Sequence, residues 1–233
     1  MQIFSQKRLA VITTGAALLF LAWDASGLDL PMAHWFGGLA GFPLQDNWFL
    51  THILHDGAQR LAWCVALLLC LGVWFPVAGL KRLAFNNRLQ FALTTLLAVT
   101  VVSSLKVLST TSCPYALSDF GGVARYTSHW VHLFQHDGGS GSCFPAGHAS
   151  SGFAFLGGYF AFRGSDKALA KKWLIGAITV GLVLGFAQQL RGAHFMSHTL
   201  WTAWICWCTA WGVNSLMNWF NFTEVTADLG ETA

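Results

Sequence analysis

Six apolar stretches, at about residues 9–25, 58–79, 89–108, 148–163, 173–190 and 199–219, leave this chain little choice of fold. A helix of roughly 20 apolar residues crosses the hydrocarbon core of a bilayer. Backbone polar groups in lipid must find partners within their own segment, so each stretch is read as a transmembrane helix. The composition agrees. Of 233 residues, 55% are hydrophobic and 10% charged, against roughly 25% charged in an ordinary soluble domain. Mean hydropathy is +0.51. The expectation is an all-α, polytopic membrane protein: one domain over residues 1–233 built from six spans. The fourth stretch is short, and its Gly152, Gly157 and Gly158 predict close helix packing.

The stretches divide the cations. Lys7, Arg8, Lys81, Arg82, Arg88, Arg163, Lys167, Lys171 and Lys172 fall on one side of the implied membrane. Arg60, Lys106, Arg125 and Arg191 fall on the other, with all 9 histidines. Positive residues are retained in the cytoplasm. The first set therefore predicts cytoplasmic termini, and the second set lies on the outer side. Basic groups at the outer ends of membrane helices point to an anionic ligand. The first stretch follows Lys7-Arg8 and has no small-x-small site near Trp23, so it is read as a retained span. No basic stripe or zinc-finger spacing suggests a nucleic-acid partner. The outer segment Leu28 to Gly57 carries Trp35, Phe36, Phe42, Trp48 and Phe49 and suits an interfacial helix, while the acidic tail after Phe222 reads as frayed. Cys64, Cys70, Cys206 and Cys208 lie in apolar spans, where cysteine behaves as a small hydrophobe. Cys113 and Cys143 share an outer loop; they are either two free thiols or a disulfide worth roughly 3 kcal/mol in the chain-entropy model.

Three clusters on the outer side can carry chemistry. Lys106 ends the third span and is followed by Cys113-Pro114. Cys143-Phe-Pro145-Ala146-Gly147-His148 leads into the fourth span, where a helix start offers unpaired N–H groups to an anion. His148 stands at that rim, able to protonate a departing oxygen. Arg191-Gly-Ala-His194-Phe-Met-Ser-His198 joins the fifth and sixth spans, and its three basic residues share one face if the stretch is helical. Arg191 suits bidentate binding of phosphate oxygens. Taken singly, each cluster also reads as a turn or a snorkelling cation. His129, His132 and His136 have spacing for a metal face but no acidic partner beyond Asp137, so headgroup or solvent contact is expected there instead.

The order and spacing of the three clusters resemble the type 2 phosphatidic acid phosphatase superfamily, whose motifs are Lys-x6-Arg-Pro, Pro-Ser-Gly-His and Ser-Arg-x5-His-x3-Asp. Lys106-x6-Cys113-Pro114 resembles the first, Pro145-Ala-Gly-His148 the second, and Gly192-Ala-His194-Phe-Met-Ser-His198 the third. The resemblance implies a six-span helical bundle and a phosphohistidine on the third-motif histidine. It further implies a leaving-group proton from the second-motif histidine, phosphate held by Lys and Arg, and no metal. Carried over, His194 is the nucleophile, His148 the acid and His198 the orienting residue in the Asp position. Lys106, Arg191, Ala146, Gly147 and Arg125 are the substrate-binding set. Cys113, Ala146, Gln188 and His198 stand where the family has Arg, Ser, Arg and Asp. A second register makes His198 the nucleophile, with Thr202 in the Asp position. Asp56, Asp119 and Asp137 are outer-side candidates for the missing carboxylate. The activity expected is a lipid phosphatase cleaving a phosphomonoester or pyrophosphate at the periplasmic face. A lipid-to-lipid phosphotransferase and a non-catalytic lipid-binding protein on the same scaffold are the alternatives.

Overall fold

The computed structural model describes residues 5–130 and 136–231, with side chains described through residue 219. Regular structure among these residues is helical, and the extended pairing consists of isolated bridges joining Gly38 to Gly41 and Leu117 to Ala124. Helix α1 (Gln6–Ser26) is followed by a short α2 (Asp29–Ala33). A π-helical stretch, Phe49–Gly57, runs directly into α3 (Ala58–Leu71). Then come α4 (Phe85–Leu108), α5 (Gly147–Phe153), a 3-10 turn (Ala154–Leu156), α6 (Gly157–Phe162), α7 (Lys167–Leu190) and α8 (Met196–Glu231).

Four of these are long and apolar enough to cross a membrane: Gln6–Ser26, Phe49–Leu71, Phe85–Leu108 and Lys167–Leu190. Their outward faces are apolar, with Val11, Leu19, Leu61, Leu67 and Val107 each more than half exposed. Such surfaces suit a lipid solvent. Two expected spans differ. The fourth stretch is not one helix but α5, a tightened turn and α6. Phe153, Leu156, Tyr159 and Phe162 in it are almost fully buried, so this segment answers to its protein neighbours on every side. The sixth lies within α8, which continues to Glu231 instead of ending near residue 222. The second span also starts earlier and stops earlier than hydropathy suggests, at Phe49 and Leu71. The outer segment expected to hold an interfacial helix contributes only α2 and the π-helical stretch.

Two devices hold the bundle together. At the centre α5 crosses α7 backbone to backbone: a Cβ on Gly152 would lie 2.2 Å from the Gly181 nitrogen. Small residues permit this approach where lipid supplies no hydrophobic drive between helices. At the periphery, one face of α8 carries Trp201, Trp204, Trp207 and Trp211. Their indole N–H groups donate in turn to Asp24 Oδ2 (2.7 Å), Thr13 O (3.0 Å), Thr13 Oγ1 (2.8 Å) and Gln6 Oε1 (2.8 Å). Helix α1 buries little apolar surface, only Leu9 and Thr13 being fully covered, so this indole ladder fixes its place. At the other end of the bundle Asp166 accepts from the Leu169 N–H (2.9 Å) as the cap of α7 and pairs with Arg82. The Leu169 N–H first, and Arg82 next, hold its carboxyl below the ordinary range.

Candidate active site

The third cluster is shaped by a glycine. Helix α7 ends at Leu190, Arg191 caps it, and Gly192 takes φ +67°, which an L side chain rarely adopts. A Cβ at Gly192 would also strike the Phe42 ring at 2.2 Å. The chain therefore leaves the helix between Arg191 and His194 and re-enters one at Met196. Arg191, His194 and His198 do not share one helical face as the spacing suggested. Instead His194 lies in the connection and His198 in the first turn of α8, with their Nδ1 atoms facing at 3.4 Å. Both are buried, at 3% and 0% exposure. Burial first, then the nearby Lys106 ammonium, hold His194 well below its ordinary pKa.

Lys106 stands in the last turn of α4, and its Nζ lies 3.6 Å from the Cβ position of Gly147. The first cluster is thereby laid on the second. A disulfide between Cys113 and Cys143 ties the same two segments covalently, and Cys143 Sγ sits 3.5 Å from His194 Nδ1. The position of the family arginine has thus become half of a staple against the third cluster. Ala146 precedes α5, and its N–H, expected to help hold phosphate, donates to Thr202 Oγ1 (2.9 Å). Its place against α8 uses that donor up. Gly147 and His148 follow in the first turn of α5, where N–H groups have no acceptor within the helix.

His148 has as its charged neighbours His55, Lys106, Arg191 and Asp56. His55 is the residue that sequence reasoning passed over. Its ring stacks on His148 with centroids 3.6 Å apart, and its Nδ1 lies 2.8 Å from Asp56 Oδ1. Arg191 is steadied by Nε donating to Gln45 O (2.9 Å) and an Nη by Gln188 Oε1 (3.3 Å). Gln188, at the family's arginine position, thus supports the guanidinium one turn away. A cavity of about 200 Å³ opens beside Lys106, Gly147 and His148 and runs between α3, α4 and α5 past Trp63, Leu96 and Phe155. It is polar at one end and apolar along its length. His194 and Arg191 are electrostatic neighbours of His148 and are not among the residues lining the cavity.

The remaining expectations divide. Arg125 is exposed in the outer loop, its N–H donating to Asp137 O (2.9 Å), and is not among the leading charged neighbours of His148 or His194. Asp137 is buried by Ser112 and Gly139, whose N–H and hydroxyl groups it accepts, and Asp119 lies on an exposed turn beside Ser118. Of the three candidate carboxylates only Asp56 reaches the cluster, and it does so through His55. His129 is buried and His136 exposed, so these two do not form a common face; His132 lies outside the described residues. Cys143, His194 and His198 bring donor atoms within 4.8 Å of one another. The sulfur is bonded to Cys113, however, and offers no thiolate, so this set does not fit a metal ion.

The description "PAP2 superfamily" attaches to a family model that matches residues 88–222. Comparison with curated proteins and with solved structures found no match. The matched region runs from the start of α4 into α8 and contains Lys106, His148, Arg191, His194 and His198. A model that covers more than half of the chain, and all three clusters gathered above, identifies the protein as a member of the PAP2 superfamily, a group composed generally of phosphatases.

Proposed function

We propose that this protein is an integral-membrane lipid phosphatase that cleaves a phosphomonoester or pyrophosphate on the periplasmic side. The observation carrying the reading is the contact between Lys106, at the end of α4, and the Gly147-His148 start of α5, with Arg191 and His194 adjoining. Two cations and two imidazoles from separate elements meet there, as binding and transfer of a phosphoryl group require. Six spans are assigned to α1, Phe49–Leu71, α4, α5 with α6, α7 and α8, with both termini cytoplasmic. The cavity beside Lys106 suits a ligand with a charged head and an apolar body.

Lys106 and Arg191 hold the phosphoryl oxygens, helped by the N–H groups of Gly147 and His148. His194 attacks through Nε2, because its Nδ1 faces His198. The N–P bond forms as the bond from phosphorus to the leaving oxygen breaks, and His148 gives that oxygen its proton. Water then attacks the phosphohistidine, His148 takes the water's proton, and the N–P bond breaks to release phosphate. His55, held by Asp56, is assigned to the same pocket. Purified protein should release phosphate from at least one member of a panel of lipid phosphomonoesters and prenyl pyrophosphates. Release that persists undiminished in His194→Ala would sink the assignment.

A further inference from the structure

The family places a carboxylate behind its nucleophile, and here that position is His198. The nearest acid on that side comes from a part of the chain that the three motifs do not touch. Asp24 stands at the outer end of α1, where Trp130 and Trp201 each donate an indole N–H to its Oδ2 at 2.7 Å. The same oxygen lies 3.6 Å from His129 Nε2, with the two side chains 7% and 6% exposed. His129 in turn stacks on Phe144 (4.2 Å) and meets His198 edge to face, centroids 5.6 Å apart. His198 faces His194. An unbroken series, His194, His198, His129, Asp24, therefore runs from the site to the end of the first helix. Three of its atoms, His198 Nε2, His129 Nε2 and Asp24 Oδ1, are buried without a hydrogen-bond partner. Buried polar atoms are nearly always bonded, so three orphans in one series mark a place not built for packing alone.

We propose that Asp24 is the carboxylate of this site, a positioning residue that acts through His129 and His198 on His194. The inference rests on the phosphohistidine reading above. When His194 Nε2 bonds to phosphorus and the leaving oxygen departs with the proton from His148, the His194 ring becomes cationic. Its Nδ1 proton moves to His198 Nδ1, and the positive charge moves with it. Asp24 is the counter-charge for that cation, with His129 held between them. Across roughly 10 Å at an effective dielectric near 20, a unit charge of opposite sign favours a cation by about tenfold. Asp29 is the other acid nearby, but it already binds the Ser197 N–H and hydroxyl and the Trp23 indole. The charged and titratable groups bearing on this pair of imidazoles are Asp24, Asp29, His194 and Lys106, and Tyr126 bears on the two carboxylates.

The test uses the full-length protein in detergent, with D24N and H129Q compared against wild type for lipid phosphate release across pH. H129Q leaves the indole bonds to Asp24 in place, so it decides the matter if D24N fails to fold. Both variants are expected to lose about tenfold in kcat with KM within about twofold. In D24N the acid limb of the kcat profile should move to lower pH, because losing the anion disfavours the protonated imidazoles; in H129Q it should move the same way, because the link from that anion to His198 is cut. A purely structural role would lower the yield of folded protein and leave that limb where it was. An unmoved limb in both variants overturns the role of Asp24. A wild type without phosphatase activity, or an active His194→Ala, overturns the phosphohistidine reading itself and this inference with it.

Discussion

His55 lies flat against His148, with ring centroids 3.6 Å apart and planes 30° from parallel, while Asp56 grips the far edge of His55. The π-helical stretch Phe49–Gly57 delivers both residues to the mouth of the pocket. An imidazole oriented by a carboxylate and stacked on the expected acid should take part in proton movement. His55→Gln is therefore expected to lower kcat/KM by about 10- to 100-fold, at or below the usual range for general acid–base groups. Asp56→Asn should follow with a smaller loss. Phosphate release measured on a single lipid substrate checks both, and an unchanged His55→Gln would remove His55 from the site.

The two histidine registers make different chemical predictions. With His194 as nucleophile, His194→Gln abolishes the acid-labile phosphoenzyme, while His198→Gln keeps a slow one at roughly 1% of the wild-type rate. Rapid quench with a radiolabelled lipid phosphate, followed by peptide mapping, reads the answer directly. Label on residue 198 would reverse the assignment.

Burial and Lys106 depress the pKa of His194. A nucleophilic imidazole must be neutral, and a lowered pKa keeps it neutral to more acid pH. The acid limb of kcat/KM should thus fall below about pH 6.5, the ordinary histidine value. The same depression means that the unfolded chain binds the proton more readily than the folded one. This contribution to stability is present above the unfolded pKa and is lost as pH falls through the folded one. A rate profile between pH 4 and 8 tests the first statement. An acid limb above the ordinary histidine value contradicts it.

The Cys113–Cys143 bridge joins the segment after Lys106 to the segment before His148. Cys113→Ser should cost roughly 3 kcal/mol of stability, and it should cost activity as well, because the bridge braces the segments beside Lys106 and His148. Dithiothreitol applied to wild type should reproduce the loss. Full activity in reduced protein would show that packing alone holds the pocket.

At the α5–α7 crossing, Gly152→Ala forces a methyl group onto the Gly181 backbone. The expected cost is about 1–3 kcal/mol, seen as a lower melting temperature in detergent. Gly176→Ala on α7, where nothing lies within 4 Å of the added carbon, should be nearly neutral.

Hydropathy located the four helices long and apolar enough to cross a membrane, because lipid imposes its demand on every residue of an exposed helix. It misjudged the second one because His52, His55 and Asp56 look like loop when averaged with their neighbours, although they lie in helix. It also treated residues 148–163 as one continuous span, when burial on all sides lets that segment tighten at Ala154–Leu156. Lys106, His148 and His194 were legible as candidates because polar groups at the ends of apolar stretches stand out. The common face drawn through Arg191, His194 and His198 failed on Gly192, whose positive φ was not weighed. The Ala146 N–H was assigned to phosphate because nothing local reveals that Thr202 reaches it. Asp24 was passed over for a similar reason: periodicity along one helix does not say which distant helix it will touch.

The indole ladder has a bearing on biogenesis. Its acceptors lie on α1 and its donors on α8, which the ribosome makes well over a hundred residues later. Until α8 is made, α1 has almost nothing to dock against, and Asp24 has no His198 to face. Synthesis of α8 is therefore the event that fastens α1 and, in the same step, sets Asp24 and His198 on one side of the bundle.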